Sequence, residues 1–238
     1  MRPSRIVAKF GLMLFAALLC GAFAGIVAPW KGSQGTPLHA MGPGSPKMVN
    51  FQQASASDDT RHLANWIVTS NDNHGMPFLI VDKVDAKVFL FAKNGDLRGE
   101  ASVLLGLSRG DDIPPSKGNR IYSHLPPEAR ITPAGRFVGA IGYEKGGQKV
   151  LWVDYDDDIA LHPVITAFPK ERRPERLATP SPLDNRISYG CINVPAEFFR
   201  NIVMPNLGSA DAVIYVLPES RPIQVVFAHY YQVRGATA

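Results

Sequence analysis

The stretch 78–95, FLIVDKVDAKVFLFAKNG, is the clearest structural signal in this 238-residue chain. It contains two apolar runs, 78–81 and 87–91, whose length is typical of buried β-strands. Asn94 and Gly95 follow the second run, and both residues tolerate the positive φ angles of a tight hairpin turn. The stretch therefore predicts two strands and a turn into a third strand, which we place at 101–105.

Short apolar runs bounded by glycine or proline continue along the chain. They predict strands at 137–141, 150–153 and 212–217, and the run 223–227 is also strand-like. Two helices are predicted. The first covers 58–70, with Ser57 as its cap, and the second covers 195–204, where proline suits the first turn. The pattern therefore predicts a mainly β fold with a few short helices.

The N-terminus has the composition of an export segment. Arg2, Arg5 and Lys9 precede an apolar stretch that runs from Phe10 to Ala28. A signal peptide cleaved after Ala24 fits this arrangement. An uncleaved inner-membrane anchor is the alternative, because the stretch approaches the roughly 20 residues that span a bilayer. In both cases we expect the rest of the chain to lie in the periplasm or cell envelope.

Composition divides the chain into five segments. They are the signal peptide or anchor (1–30), a flexible linker (31–56), a short helical lead-in (57–75), a main domain (76–218) and a C-terminal tail (219–238). The formal net charge of +4 is mildly basic, which suits an anionic envelope. The sequence has no long lysine/arginine run and no nucleic-acid-binding motif, which excludes nucleic acid as a partner.

The two cysteines of the chain have different contexts. Cys20 lies in the export segment, whereas Cys191 lies in the main domain, so the mature domain has a single thiol. A lone cysteine in an exported protein is either a small buried apolar residue or a reactive thiol. The residues around Cys191 must decide between these two roles.

Cys191 lies in the segment 186–193, Arg-Ile-Ser-Tyr-Gly-Cys-Ile-Asn. Gly190 has no side chain, so it leaves the approach to the thiol open. A turn here would also leave the N–H groups of Gly190 and Cys191 outside any regular ladder, where they can bind an oxyanion. The N-terminus of the helix predicted at 195–204 would stabilise a thiolate. The segment therefore predicts a thiol nucleophile for acyl transfer.

A cysteine nucleophile needs a base, because a free thiol is only a few per cent ionised near neutral pH. His162, which follows a predicted strand and an acidic turn, is the strongest candidate. Taken alone, it also fits a half-buried histidine whose ring binds nearby backbone. No histidine has metal-ligand spacing to a cysteine or carboxylate, so we predict no metal site, and acyl transfer by a thiol needs no organic cofactor.

Three separated motifs resemble those of the L,D-transpeptidase (YkuD-type) catalytic domain. The family's nucleophile motif, with a histidine upstream, is matched by Ser188, Gly190, Cys191, Ile192 and Asn193. The segment 132–137, Thr-Pro-Ala-Gly-Arg-Phe, resembles a second motif, and 81–95 resembles the opening hairpin. The resemblance covers 76–218. It implies a β-sandwich in which two sheets pack around the core and a groove holds the cysteine.

The sequence departs from the family pattern at two places. Tyr189 replaces the histidine that commonly precedes the glycine, and the stretch between His162 and Ser188 is longer than usual. That stretch carries a charged loop, 170–176, which is either a solvated surface segment or a lid whose arginines hold substrate carboxylates. The candidate substrate-binding residues are Tyr189, Asn193, Arg186 and Arg176.

The resemblance implies a cysteine-dependent acyltransferase that forms 3-3 cross-links between peptidoglycan stem peptides. Cys191 would form a thioester, His162 would take the thiol proton, and Ser188 and Gly190 would complete the catalytic set. Two alternatives stay open. Water could resolve the same thioester, as in an L,D-carboxypeptidase or wall-trimming hydrolase. The domain could also be a catalytically silent peptidoglycan-binding module with a buried Cys191.

Overall fold

The computed structural model describes residues 48–113, 125–208 and 210–233. The predictions for the export segment and for the linker up to residue 47 lie outside these ranges. Within the described ranges, no helix has both the length and the apolar character needed to cross a bilayer.

The described strands form two main sheets and a short third one. The first sheet contains, in spatial order, β3 (Leu97–Ser102), β2 (Lys87–Phe91), β1 (Phe78–Asp82), β11 (Ala212–Val216) and β5 (Gly135–Gly139). The second contains β10 (Ile192–Val194), β8 (Ile159–Pro163), β7 (Lys149–Asp154) and β6 (Ile141–Tyr143). The third pairs β4 (Leu105–Gly106) with β9 (Arg186–Ser188). Most pairs are antiparallel, but β1/β11, β8/β10 and β4/β9 are parallel.

The helices are short apart from α1 (Asp58–Ser70). The others are α2 (Arg173–Ala178), α3 (Ala196–Phe198), a π-helical segment (Phe199–Val203), α4 (Met204–Leu207) and α5 (Ile223–Val226), with 3₁₀ turns at Pro127–Ala129, Pro169–Glu171 and Pro182–Asn185. The predicted mainly β fold with a few short helices is confirmed.

The two main sheets pack against each other through one apolar core. Leu79 and Leu90 of the first sheet meet Leu161 and Ile192 of the second, and all four side chains are fully buried. Burying a side chain of this size contributes about 1.5–3 kcal/mol. A second apolar cluster covers the other face of β1 and β2, which explains why 78–81 and 87–91 are continuously apolar rather than alternating.

Helix α1 supplies much of that second cluster. The helix was predicted over 58–70, and this prediction is confirmed. Ser57 Oγ accepts the Thr60 N–H at 3.2 Å, and Asn71 ends the helix in the left-handed region at a φ of 57°. The buried side of α1, which includes Leu63 and Ile67, covers the outer face of the first sheet.

Two strand predictions were wrong in position. The returning strand of the hairpin begins at Leu97 instead of 101, because the turn closes at once through a 2.9 Å bond from the Gly95 N–H to Ala92 O. The strand predicted at 137–141 spans the corner between β5 and β6, where the chain passes from one sheet to the other. At that corner a Cβ on Gly139 would lie 1.8 Å from Trp152 O, so only glycine fits.

The strand-like run 223–227 is a further correction, because it forms the short helix α5. Ile223 and Phe227 are both buried in the second cluster, whereas Val225 between them is exposed. A strand would place Val225 on the same face as Ile223 and Phe227, whereas a helix turns Val225 away from them. The segment predicted as a tail therefore packs on the main domain as far as Val233.

Candidate active site

The parallel pairing of β8 and β10 determines which predicted site residues meet. Asn193 lies opposite His162, and Ile192 lies opposite Leu161. Ile192 and Leu161 face the core, so Asn193 and His162 project from the other face of the sheet. Cys191 directly precedes β10, two residues before Asn193. One sheet face thus carries His162 and Asn193, and Cys191 lies next to the start of the same strand.

Ser188 holds together the turn that precedes Cys191. Its hydroxyl donates to Cys191 O at 2.6 Å and accepts the Gly190 N–H at 3.1 Å. The serine is buried, and both bonds lie within one short turn. Its contacts are therefore with the backbone of the turn, while a direct part in catalysis stays a prediction.

Gly190 has a geometric role that differs from the predicted one. Its N–H donates to Ser188, so the prediction of a free Gly190 N–H for an oxyanion is wrong, and the Cys191 N–H is the remaining candidate. The φ of Gly190 is 133°, which disfavours any residue with a Cβ. A Cβ here would also lie 2.8 Å from Ile131 O and from Ile159 Cδ1.

Thr132 is a site residue that the sequence did not single out. Its hydroxyl donates to Gly190 O at 2.8 Å and accepts the Gly106 N–H at 2.9 Å. The side chain is buried, so the two bonds join the cysteine turn to β4. The only earlier signal was its place in the Thr-Pro segment that resembles a family motif.

Cys191 itself is half-buried, and its thiol donates to Asp158 O at an S···O distance of 3.6 Å. Burial raises the pKa of the Cys191 thiol above its usual 9.0, against the opposing effect of a backbone bond from Ala160. Helix α3 begins at Ala196, and the strand between it and the cysteine spans about 10 Å. The predicted stabilisation of a thiolate by this helix is therefore wrong.

His162 is almost fully buried, with 7% of its surface exposed. Its Nδ1 lies 2.8 Å from Pro163 O, and its Nε2 lies 3.3 Å from Asn193 Nδ2. Burial lowers the pKa of His162 below its usual 6.5, and the charge of Arg173 acts in the same direction, while Pro163 O and Glu144 oppose them. The imidazole is therefore neutral at neutral pH, which is the form that can accept a proton.

These opposite shifts predict a particular pH dependence. A raised thiol pKa beside a lowered imidazole pKa favours a neutral pair over a thiolate–imidazolium pair. We therefore expect alkylation of Cys191 by iodoacetamide to be slow at neutral pH and to keep increasing with pH without levelling off below 9.0. The rate is followed by the mass of the Cys191 peptide. A rate that already levels off near about pH 6 would contradict this expectation, since it would reveal an ion pair.

The predicted substrate-binding residues lie in different surroundings. The guanidinium of Arg130 lies 4.3 Å from the ring centroid of Tyr189. Arg186 donates to Glu219 Oε2 at 2.6 Å and to Lys83 O at 2.7 Å. These contacts give Arg186 a place in a buried network, and its binding of substrate stays a prediction.

Arg176 lies on α2, at a cleft of about 210 Å³ that also includes Arg172 and Asp184. It donates to Glu171 O and Asp184 O, both at 2.8 Å. The cleft is lined by two arginines, Arg172 and Arg176, and by two acidic residues, Glu175 and Asp184. Binding of substrate stays a prediction for Arg176.

The charged loop is more than a solvated surface segment. Arg173 is 6% exposed, and its Nη1 donates to Asn193 Oδ1 at 2.6 Å. Its Nε donates to Glu171 Oε2, also at 2.6 Å. Through Arg173 the loop is therefore fixed to the sheet face that carries His162. Among the described residues, no group of three or more histidine, cysteine or acidic side chains could hold a metal ion.

No protein-family model and no curated protein matches this sequence. The helical cell shape determining protein Pgp2 from Campylobacter jejuni is similar in structure, with 15% identity and a TM-score of 0.38, over 61% of this chain and 49% of that one. The catalytic domain of an E. faecium L,D-transpeptidase gives 16% identity and a TM-score of 0.32, over 59% and 96%. An L,D-transpeptidase from Mycobacterium tuberculosis H37Rv gives 13% and 0.35, over 59% and 57%. This chain thus spans about half the length of Pgp2.

Proposed function

We propose that this protein is an exported cysteine acyltransferase that cross-links peptidoglycan stem peptides. The observation that supports the proposal is the parallel pairing of β8 with β10, because it sets His162 opposite Asn193, two residues along the chain from Cys191. The choice of stem peptides as substrate follows from the sequence motifs that resemble the L,D-transpeptidase domain.

The proposed reaction begins with the neutral pair. The thiol rotates away from Asp158 O, and the Asn193 amide releases its 3.3 Å bond to His162 Nε2. The thiol then passes its proton to that nitrogen while the sulfur attacks the carbonyl carbon of the third stem residue. The bond from that carbon to the terminal D-Ala nitrogen breaks, and the D-Ala amine leaves with the proton from the imidazolium. An amine of a second stem then attacks the thioester and returns the thiol.

The construction of the cysteine turn supports catalysis over a silent binding module. Ser188 and Thr132 fix the backbone of Gly190 with two buried hydrogen bonds, and a third joins Thr132 to Gly106. The same turn leaves Cys191 partly rather than fully buried. A cysteine that served only as a small apolar residue would not need its backbone fixed in this way.

The test is a reaction of residues 31–238 with disaccharide-tetrapeptide, read by mass spectrometry, with Cys191→Ala as the control. We expect a cross-linked dimer that lacks one D-Ala and that is absent with the control. Tripeptide without dimer would instead support the L,D-carboxypeptidase. Absence of any product that depends on Cys191 would contradict the proposed function.

A further inference from the structure

A continuous series of hydrogen bonds runs from the charged loop to the imidazole. Glu171 Oε2 accepts from Arg173 Nε, and Arg173 Nη1 donates to Asn193 Oδ1, both at 2.6 Å. Asn193 Nδ2 lies 3.3 Å from His162 Nε2, and His162 Nδ1 lies 2.8 Å from Pro163 O. Asn193 is completely buried, so its amide has no water to pair with in place of these neighbours.

The donor and the acceptor of every bond in this series follow from the chemistry of the Arg173 guanidinium group. A guanidinium group can only donate hydrogen bonds, so the amide atom of Asn193 that faces Arg173 must be the oxygen. The amide NH₂ group then faces His162, and Nε2 must act as the acceptor. Nδ1 carries the ring proton and donates to Pro163 O. The bonds at Nε2 and at Nδ1 therefore both require the neutral imidazole that carries its proton on Nδ1.

We propose that Arg173 is a positioning residue that keeps His162 Nε2 unprotonated by locking the orientation of the Asn193 amide. Without Arg173, the amide can turn its oxygen toward the ring. His162 would then lie between two acceptors, Asn193 Oδ1 and Pro163 O, which together favour the doubly protonated imidazolium. An imidazolium cannot accept the thiol proton.

The burial of Arg173 suits this role better than a surface role. Its guanidinium is held on both sides, by Glu171 and by Asn193, so its position is fixed. The charged groups whose fields reach His162 are Arg173 and Glu144, of which Arg173 opposes and Glu144 favours the protonated ring. Removing Arg173 thus removes both the lock on the amide and the opposing charge.

The proposal is tested by ¹⁵N NMR of the full-length chain labelled at histidine nitrogens, at about pH 7, where an unperturbed imidazole is mostly neutral. The His162 signals are assigned by their loss in His162→Gln. In the wild-type protein we expect a protonated Nδ1 and an unprotonated Nε2. In Arg173→Met we expect Nε2 to become protonated. A bare Nε2 in Arg173→Met would overturn the proposal.

Two further variants complete the test. Arg172→Met removes the same charge from an exposed neighbour in the same loop, and we expect it to leave the His162 spectrum unchanged. An equal change in Arg172→Met would overturn the proposal, because charge alone would then explain the result. Asn193→Asp places a fixed acceptor at Nε2 while Arg173 remains, and we expect a protonated Nε2. This variant decides the matter if Arg173→Met does not fold.

The expected effect on the acylation rate rests on the proposed function, whereas the expected ¹⁵N NMR spectrum of His162 does not. We expect Arg173→Met to slow acylation of Cys191 by a carbapenem by at least about tenfold, as loss of an orienting partner commonly does. If the wild-type protein were not acylated at all, the proposed function would fail while the spectra still decided the role of Arg173. A normal acylation rate in Arg173→Met would overturn the kinetic part of the inference.

Discussion

Replacing His162 by glutamine is expected to slow acylation of Cys191 by a carbapenem about 10²–10⁴-fold, the usual contribution of a general base. A β-lactam presents a strained carbonyl to the nucleophile, so its acylation reports the first half-reaction without an acceptor. Glutamine retains a polar group near Asn193 but has no nitrogen that can take the thiol proton. The measurement is the rate at which the protein mass increases by that of the β-lactam.

The matched control for this experiment is His229→Gln. His229 is exposed, and its known contact uses the backbone, where His229 O accepts from Trp66 Nε1. We expect its acylation rate to equal that of the wild-type protein. Equal slowing in both variants would show that His162 is not the base. An unchanged wild-type mass after long incubation would contradict an accessible thiol.

Replacing Lys83 by methionine is expected to reduce the free energy of unfolding by about 3–5 kcal/mol, as is typical when one partner of a buried ion pair is removed. The side chain of Lys83 has no exposed surface, and its Nζ lies 2.8 Å from Asp111 Oδ1. The same nitrogen donates to Gly110 O at 2.5 Å and to Thr132 O at 3.0 Å, and it lies 3.7 Å from Glu219 Oε1. Methionine satisfies none of these acceptors, and urea unfolding measures the loss.

Lys87→Met is the control for this substitution. Lys87 is partly exposed and lies 3.7 Å from Glu100, a pair of the kind that contributes at most about 1 kcal/mol. We expect the difference between the two variants to be several-fold. A loss for Lys83→Met no larger than for Lys87→Met would show that the buried network around Asp111 does not stabilise the fold.

Local sequence patterns were sufficient to predict the helices and strands whose bounds depend on residues close by in the chain. The bounds of α1 follow from Ser57, the spacing of its apolar residues and the turn at Asn71. The strands β1 and β2 follow from apolar runs of the right length. The prediction of a strand-like run at 223–227 was wrong because a strand and a short helix can bury the same apolar residues. The surface against which the segment packs determines which of the two forms.

The candidate site was predictable to the extent that it lies within one motif. Cys191 and His162 were named from their sequence context, and the pairing of β8 with β10 brings the strand that carries His162 against the strand that follows Cys191. The inward position of Arg173 was not predictable, because three neighbouring arginines look alike in sequence. The bond from the Gly190 N–H to Ser188 was equally hidden, since it depends on a side-chain rotamer rather than on residue type.

The links from the cysteine segment to the end of the chain also constrain the order of assembly. Arg186 is joined to Glu219, and β1 cannot complete its sheet without β11. During synthesis the N-terminal residues emerge first, so the partners of the earliest strand arrive among the last. The cysteine segment therefore reaches its final position only after β11 and Glu219 are available, so the candidate site is completed late in folding.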